Sequence, residues 1–147
     1  MKSFITIILI SLVVATTTRA LGCSEAERFG VVTVSPTTFA QGDNVTISTD
    51  FTCCYWFDQP PIYTDYHIEV ETNNNGHEPA ILLARRQPPA GATNDSFTVQ
   101  IPYAFVFNAS YSLILWTTYP VNGSNGSPFY PIGGTVTPVN ITGIEGS

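Results

Sequence analysis

The stretch SFTVQIPYAFVFNASYSLILWTT, Ser96 to Thr118, decides the fold. It holds two alternating runs joined by an irregular corner at Pro102. In the first run Phe97, Val99 and Ile101 share one side; in the second Tyr111, Leu113 and Leu115 share one side and Ser112, Ile114 and Trp116 the other. A two-residue period rich in aromatic and β-branched residues specifies strand, because successive side chains point to opposite faces of a pleated sheet. The second run is apolar on both sides near its middle. That suits a central strand with a neighbour along each edge and a covered face. The two runs read as partners in one hairpin. Tyr111 reads as a corner tyrosine whose hydroxyl folds back onto the corner backbone.

Working outward, the same period recurs in Phe29–Val34, in Asn44–Phe51, in Thr64–Thr72, in Ala80–Arg86 and in Phe129–Val139. Breakers stand between them: Ser35-Pro36, Gln41-Gly42-Asp43, Asp58-Gln59-Pro60-Pro61, Asn73-Asn74-Asn75-Gly76 and Val121 to Ser127. Gly133-Gly134 predicts a bulge or kink inside the last strand. The expectation is an all-β chain, an Ig-like or fibronectin-like β-sandwich of about seven strands, with no helix.

The start MKSFITIILISLVVATTTRALGCS has a basic Lys2, an apolar run from Phe4 to Ala15 and small residues before a cut after Ala20. This is the layout of a cleaved secretory signal peptide. The run is shorter than the about 20 apolar residues of a spanning helix. Residues 1–20 are therefore read as a signal peptide and residues 21–147 as one domain. Ala20-Leu21-Gly22-Cys23 also has the look of a lipoprotein box, against which Arg19 and the glycosylation sequons stand. The end, TPVNITGIEGS, has none of the apolar tail of a lipid-anchor signal. The expected product is secreted, with no membrane span in the mature chain.

Past residue 20 the chain carries eleven acids against three arginines and no lysine. Such a surface repels phosphate backbones, so no nucleic acid partner is expected. Three cysteines remain: Cys23, Cys53 and Cys54. One bridge is expected from Cys23 to either Cys53 or Cys54, with the third thiol buried or paired to another chain. Continuing the strand phase past Phe51 turns Cys53 inward and favours Cys53. Zinc is not expected, because the cysteines with His67 or His77 lack paired metal-site spacing. No cofactor is expected.

Six N-x-[ST] sequons are the most specific motif, beginning at Asn44, Asn94, Asn108, Asn122, Asn125 and Asn140. Use is expected at Asn44, Asn94, Asn108, Asn122 and Asn140; Asn125 competes with Asn122 and precedes Pro128. Asp65, His67, Glu69 and Glu71 fall on one strand face, which reads as a solvated surface, with a metal patch or a carboxylate pair for glycoside hydrolysis as the sharper alternative. No hydrolase, zinc-protease or phosphate-loop motif occurs, and the chain is expected not to be an enzyme. Trp56, Tyr63 and Tyr119 are the candidate ligand-contacting aromatics, since rings beside polar loops stack on sugars or fill protein interfaces.

With the strands placed, VVTVSPTTFAQGDNVTIST, YHIEVE, SFTVQIP, NASYSLILWTT and SPFYPIGGTV together form a recognisable layout. It resembles the Ig-like domain of fungal Ser/Thr-rich, often lipid-anchored extracellular proteins related to the yeast cell-wall β-1,6-glucan assembly family. The likeness spans about Phe29 to Val139 and lacks that family's Ser/Thr-rich tail. It implies a fungal extracellular or cell-wall protein that contacts polysaccharide, and no catalytic residue. An extracellular partner protein is the alternative.

Overall fold

The computed structural model describes residues 22–144, so the expected signal peptide lies outside the described residues. A single turn of 3-10 helix over Glu25–Glu27 leads into β1 (Val31–Ser35), β2 (Thr38–Ala40), β3 (Asn44–Asp50) and a short helix α1 (Thr52–Trp56). There follow β4 (Tyr63–Glu69), β5 (Ile81–Arg86), β6 (Asn94–Gln100), β7 (Tyr111–Thr118), β8 (Val121–Asn122), β9 (Pro128–Phe129) and β10 (Ile132–Thr142). The order β1-β3-β6 makes one sheet and β2-β10-β7-β4-β5 the other, while β8 and β9 form a separate ribbon. All pairings are antiparallel except that of β2 with β10. The chain is thus all-β in its sheets, as expected, and built as a sandwich.

β7 is the middle strand of the five-stranded sheet. Leu113 and Leu115 face inward beside Ile68 and Tyr66 of β4, in one buried cluster with Ile47 and Phe51. Each such apolar side chain contributes about 1.5–3 kcal/mol on leaving water. Tyr66 is wholly buried, and its hydroxyl shares a hydrogen bond with Thr49 Oγ1 at 2.8 Å across the core. A phenol needs such a partner when buried.

The two runs of the opening stretch do not form a hairpin. β6 pairs with β3 in one sheet and β7 lies in the other. The segment from Ile101 to Ser110 carries the chain across the core, with Ile101 and Phe105 buried along it. Tyr111 closes this corner as expected: its hydroxyl donates to Phe107 O at 2.6 Å. Its second contact, to Glu78 Oε1 at 2.9 Å, has no signal in the sequence. Burial first, and the Glu78 carboxyl second, hold the Tyr111 hydroxyl well above its ordinary pKa, so it remains a donor.

Three further expectations need correction. Phe51–Trp56 does not continue as strand. Asp50 Oδ1 accepts from Thr52 N at 2.8 Å and the chain turns into α1. The turn reverses the phase, so Cys54 is the buried residue and Cys53 the half-buried one. The bridge nonetheless joins Cys23 to Cys53. Cys54 carries no bridge and is fully buried, out of reach of another chain. Burial pushes its thiol up to about 12, which makes it inert at neutral pH. Gly133-Gly134 is not a bulge either: β10 and β7 stay in register throughout. A side chain at Gly133 would strike the Phe29 ring, and one at Gly134 would meet the Trp116 ring at 2.9 Å. The glycines make room for two aromatics.

Between β5 and β6 the sandwich is closed by Arg86. Its Nε and Nη2 donate to Asp95 at 2.8 and 2.7 Å, and its guanidinium lies 4.8 Å from the Phe97 ring centre. The Arg86 hydrogen bonds hold the Asp95 carboxyl below its ordinary range. A carboxyl depressed in the folded state adds stability that is present above its unfolded pKa of about 3.9 and lost as pH falls through the folded value. Asp95→Asn is therefore expected to be less stable than wild type at neutral pH and to converge on it in acid. Urea midpoints against pH check this; a constant gap down to acid pH would remove the pair as the cause.

Candidate functional site

The outer face of the five-stranded sheet carries four of the exposed large apolar side chains, Tyr63, Leu82, Ile132 and Val136. Register fixes what lies beside what. Ile132, Thr118 and Tyr63 form one row across β10, β7 and β4. Gly134, Trp116 and Asp65 form the next, extended by Arg85 of β5. Val136, Ile114, His67 and Leu82 form the third. Leu82 and Arg85 have opposite parity and could not share a face on a regular strand. The ladder shifts between Tyr66 and His67, and that bulge re-phases β5 so that both point outward.

At one end of this face Ile62, Tyr63, Thr118 and Tyr130 enclose an open cleft of about 410 Å³, within the size of ordinary small-ligand sites. Tyr63 and Tyr130 are 42 % and 58 % exposed. One row away Arg85 Nε and Nη2 grip both oxygens of Asp65 at 2.6 Å. The Arg85 hydrogen bonds hold the Asp65 carboxyl below its ordinary range, so it stays ionised and makes a poor proton donor. Two exposed phenol rings thus stand beside a fixed polar pair.

The sequence candidates fall out unevenly. Tyr63 is in the cleft. Trp56 is exposed, on α1. Tyr119 is buried against Phe29, ring centres 5.6 Å apart, and cannot contact a ligand. Tyr130 completes the cleft from the segment between β9 and β10. Asp65, His67 and Glu69 share the outward face, half-buried, but β4 ends at Glu69 and Glu71 stands beyond it. Among the described residues no group of three or more His, Cys, Asp or Glu is placed to hold a metal. Asn44, Asn94, Asn108, Asn122, Asn125 and Asn140 are all exposed. Asn44 and Asn94 lie on the outward face of the three-stranded sheet, amid hydroxyl pairs Thr46–Thr98 and Ser48–Ser96.

No protein-family model matches the chain. No curated protein matches it. Among solved structures it is similar to a superoxide reductase (neelaredoxin) from Ignicoccus hospitalis, at 9 % identity and TM-score 0.45 over 76 % of this chain and 79 % of that one. Two single-residue variants of the same protein give 8 % identity, with TM-scores of 0.44 and 0.43 and coverage of 76 % and 79 % of this chain and 79 % and 83 % of theirs. The expectation that this chain is not an enzyme is corrected on this finding. The matched structures carry the name of an enzyme. At that identity and TM-score the likeness assigns no reaction here.

Proposed function

We propose that the chain is a secreted, N-glycosylated, Ig-like extracellular module of a fungal cell wall or matrix that binds a neutral polysaccharide such as β-glucan. The observation that carries the reading is the Tyr63–Tyr130 cleft beside the Asp65–Arg85 pair. Other features support it. A structural disulfide fits an oxidising compartment. Every sequon asparagine is exposed, and none lies in the three rows around the cleft; Asn140 lies farther along β10. Glycans at Asn44 and Asn94 would cover the opposite face, while one at Asn140 would stand on the β10 side of this face, away from the cleft rows.

Retention on insoluble β-glucan tests it. Tyr63→Ala and Tyr130→Ala are each expected to weaken binding by about 1–2 kcal/mol, roughly tenfold in Kd. Retention no higher than that of an unrelated sandwich, or retention unchanged in the double variant, would sink the proposal. A second reading rests on Leu82, Ile132 and Val136, exposed aliphatic side chains of the same face. Aliphatic groups suit a partner protein better than a sugar. Loss of a cross-linked extracellular partner in Leu82→Ser with glucan binding intact would favour it.

A further inference from the structure

Asn122 lines a groove of about 430 Å³ together with Phe57, Asp58, Gln59, Pro60, Pro120 and Val121. Phe57, Pro60, Pro120 and Val121 are half-buried and offer flat or rounded apolar surface; Asp58 and Gln59 add polar groups. The Asn122 backbone is fixed by the β8–β9 ribbon, where it pairs with Pro128. The other sequons lack this setting. Asn94 borders a groove lined by hydroxyls and carboxylates, among them Thr33, Ser48, Asp50 and Asp95. The hollow beside Asn108 is smaller, about 180 Å³. Asn44 and Asn140 project from exposed strand positions.

We infer that the first sugars of an N-glycan on Asn122 fold back into this groove and become part of the protein's surface. The inference deepens the reading of the chain as a secreted glycoprotein and rests on it. In the transfer, Asn122 Nδ2 forms a bond to the anomeric carbon of an oligosaccharide carried on a lipid diphosphate. The bond from that carbon to the diphosphate oxygen breaks, the lipid diphosphate leaves, and the amide gives up one proton to the transferase's base. The attached N-acetylglucosamine then has a reach of only the Asn side chain, which places its ring against the groove wall. Its C–H face packs on Phe57 and Pro60, the same arrangement by which aromatic rings hold sugars. Its hydroxyl and N-acetyl groups meet Asp58 and Gln59. Tethering removes the translational cost of association, so a contact too weak to bind free sugar holds the attached one.

The test uses the full chain secreted from a eukaryotic host, with site-resolved glycopeptide mass spectrometry during endoglycosidase digestion of the folded protein. The Asn122 glycan is expected to be released at least about tenfold more slowly than those on Asn44 and Asn140, the factor that about 1.4 kcal/mol of seating imposes. Denaturation first should equalise the three. Phe57→Ala should equalise them in the folded state; Phe57→Leu, which keeps the bulk without the ring, serves where the alanine variant does not fold. Equal release in the folded wild type, or protection undiminished in the folded Phe57 variant, overturns the inference. Asn122 empty while other sequons are filled also overturns it. All sequons empty overturns the glycoprotein reading itself, and the inference with it.

Discussion

Glu78→Ala is expected to destabilise the protein by about 3–5 kcal/mol, from the loss of three hydrogen bonds to one carboxyl group. Glu78 is 5 % exposed. Its Oε1 accepts from Val106 N and Phe107 N, both at 2.8 Å, and shares the one Tyr111 hydroxyl proton, at 2.9 Å, with Phe107 O. Its own backbone is clamped by the Asn74 side chain, which donates to Glu78 O and accepts from Glu78 N. One carboxyl therefore ties the loop before β5 to the crossing segment before β7. Alanine leaves the Tyr111 hydroxyl with Phe107 O alone and the two amides without an acceptor. Urea denaturation should show a lower midpoint at an unchanged slope. Glu78→Gln keeps the acceptor and should lose less. Because Tyr111→Phe removes part of the same network, the double variant should lose less than the two single losses added. A Glu78→Ala loss under about 1 kcal/mol, the worth of a single ordinary hydrogen bond, would show that the corner stands without it.

Removing the bridge by Cys23→Ala with Cys53→Ala is expected to cost about 3–4 kcal/mol, from the chain entropy of opening its loop. The two cysteines are 30 residues apart in sequence. The bridge anchors the segment that carries Phe29, whose ring fills the space over Gly133 and lies against Tyr119. Loss of the anchor should therefore loosen the start of β10 as well. Thermal unfolding of the oxidised wild type and the double variant measures the effect. Maleimide labelling of Cys54 supplies a second readout, slow in the folded wild type and faster in the variant. Equal melting and equal labelling would mean that packing alone holds the segment.

Strands with a clean period were legible. Val45, Ile47 and Thr49 in β3, and Leu113 and Leu115 in β7, lie inward where alternation puts them. What alternation does not encode is which strands share a sheet. β6 and β7 looked like a hairpin because they are adjacent in sequence, yet the ten residues between them are long enough to cross the core. Short elements escaped as well. β2 is three residues long and α1 five, too few for any period to register. The bridge to Cys53 was expected on the premise that Cys53 turned inward, and α1 reverses that premise while leaving the bridge. Tyr119 was misread as surface although it continues the odd-numbered inward phase of β7 by one step. Tyr63 follows from its place at a strand end beside a loop, but its pairing with Tyr130 across the cleft follows from three-dimensional closure alone. Glu78 gave no signal, since a single acid in a loop carries none.

The place of β10 has a consequence for how the molecule is made. It lies between β2 and β7, bonded to one in parallel and to the other antiparallel. Of the described strands it is the last to be synthesised. Until it arrives β7 exposes a long open edge of backbone donors and acceptors, and β2 has no partner. The pairing of β10 with β2, so distant along the chain, forms late. The sheet therefore completes only after the other described strands have all been made. During that interval the unpaired edge of β7, apolar on both faces, is the part of the chain most open to misassembly.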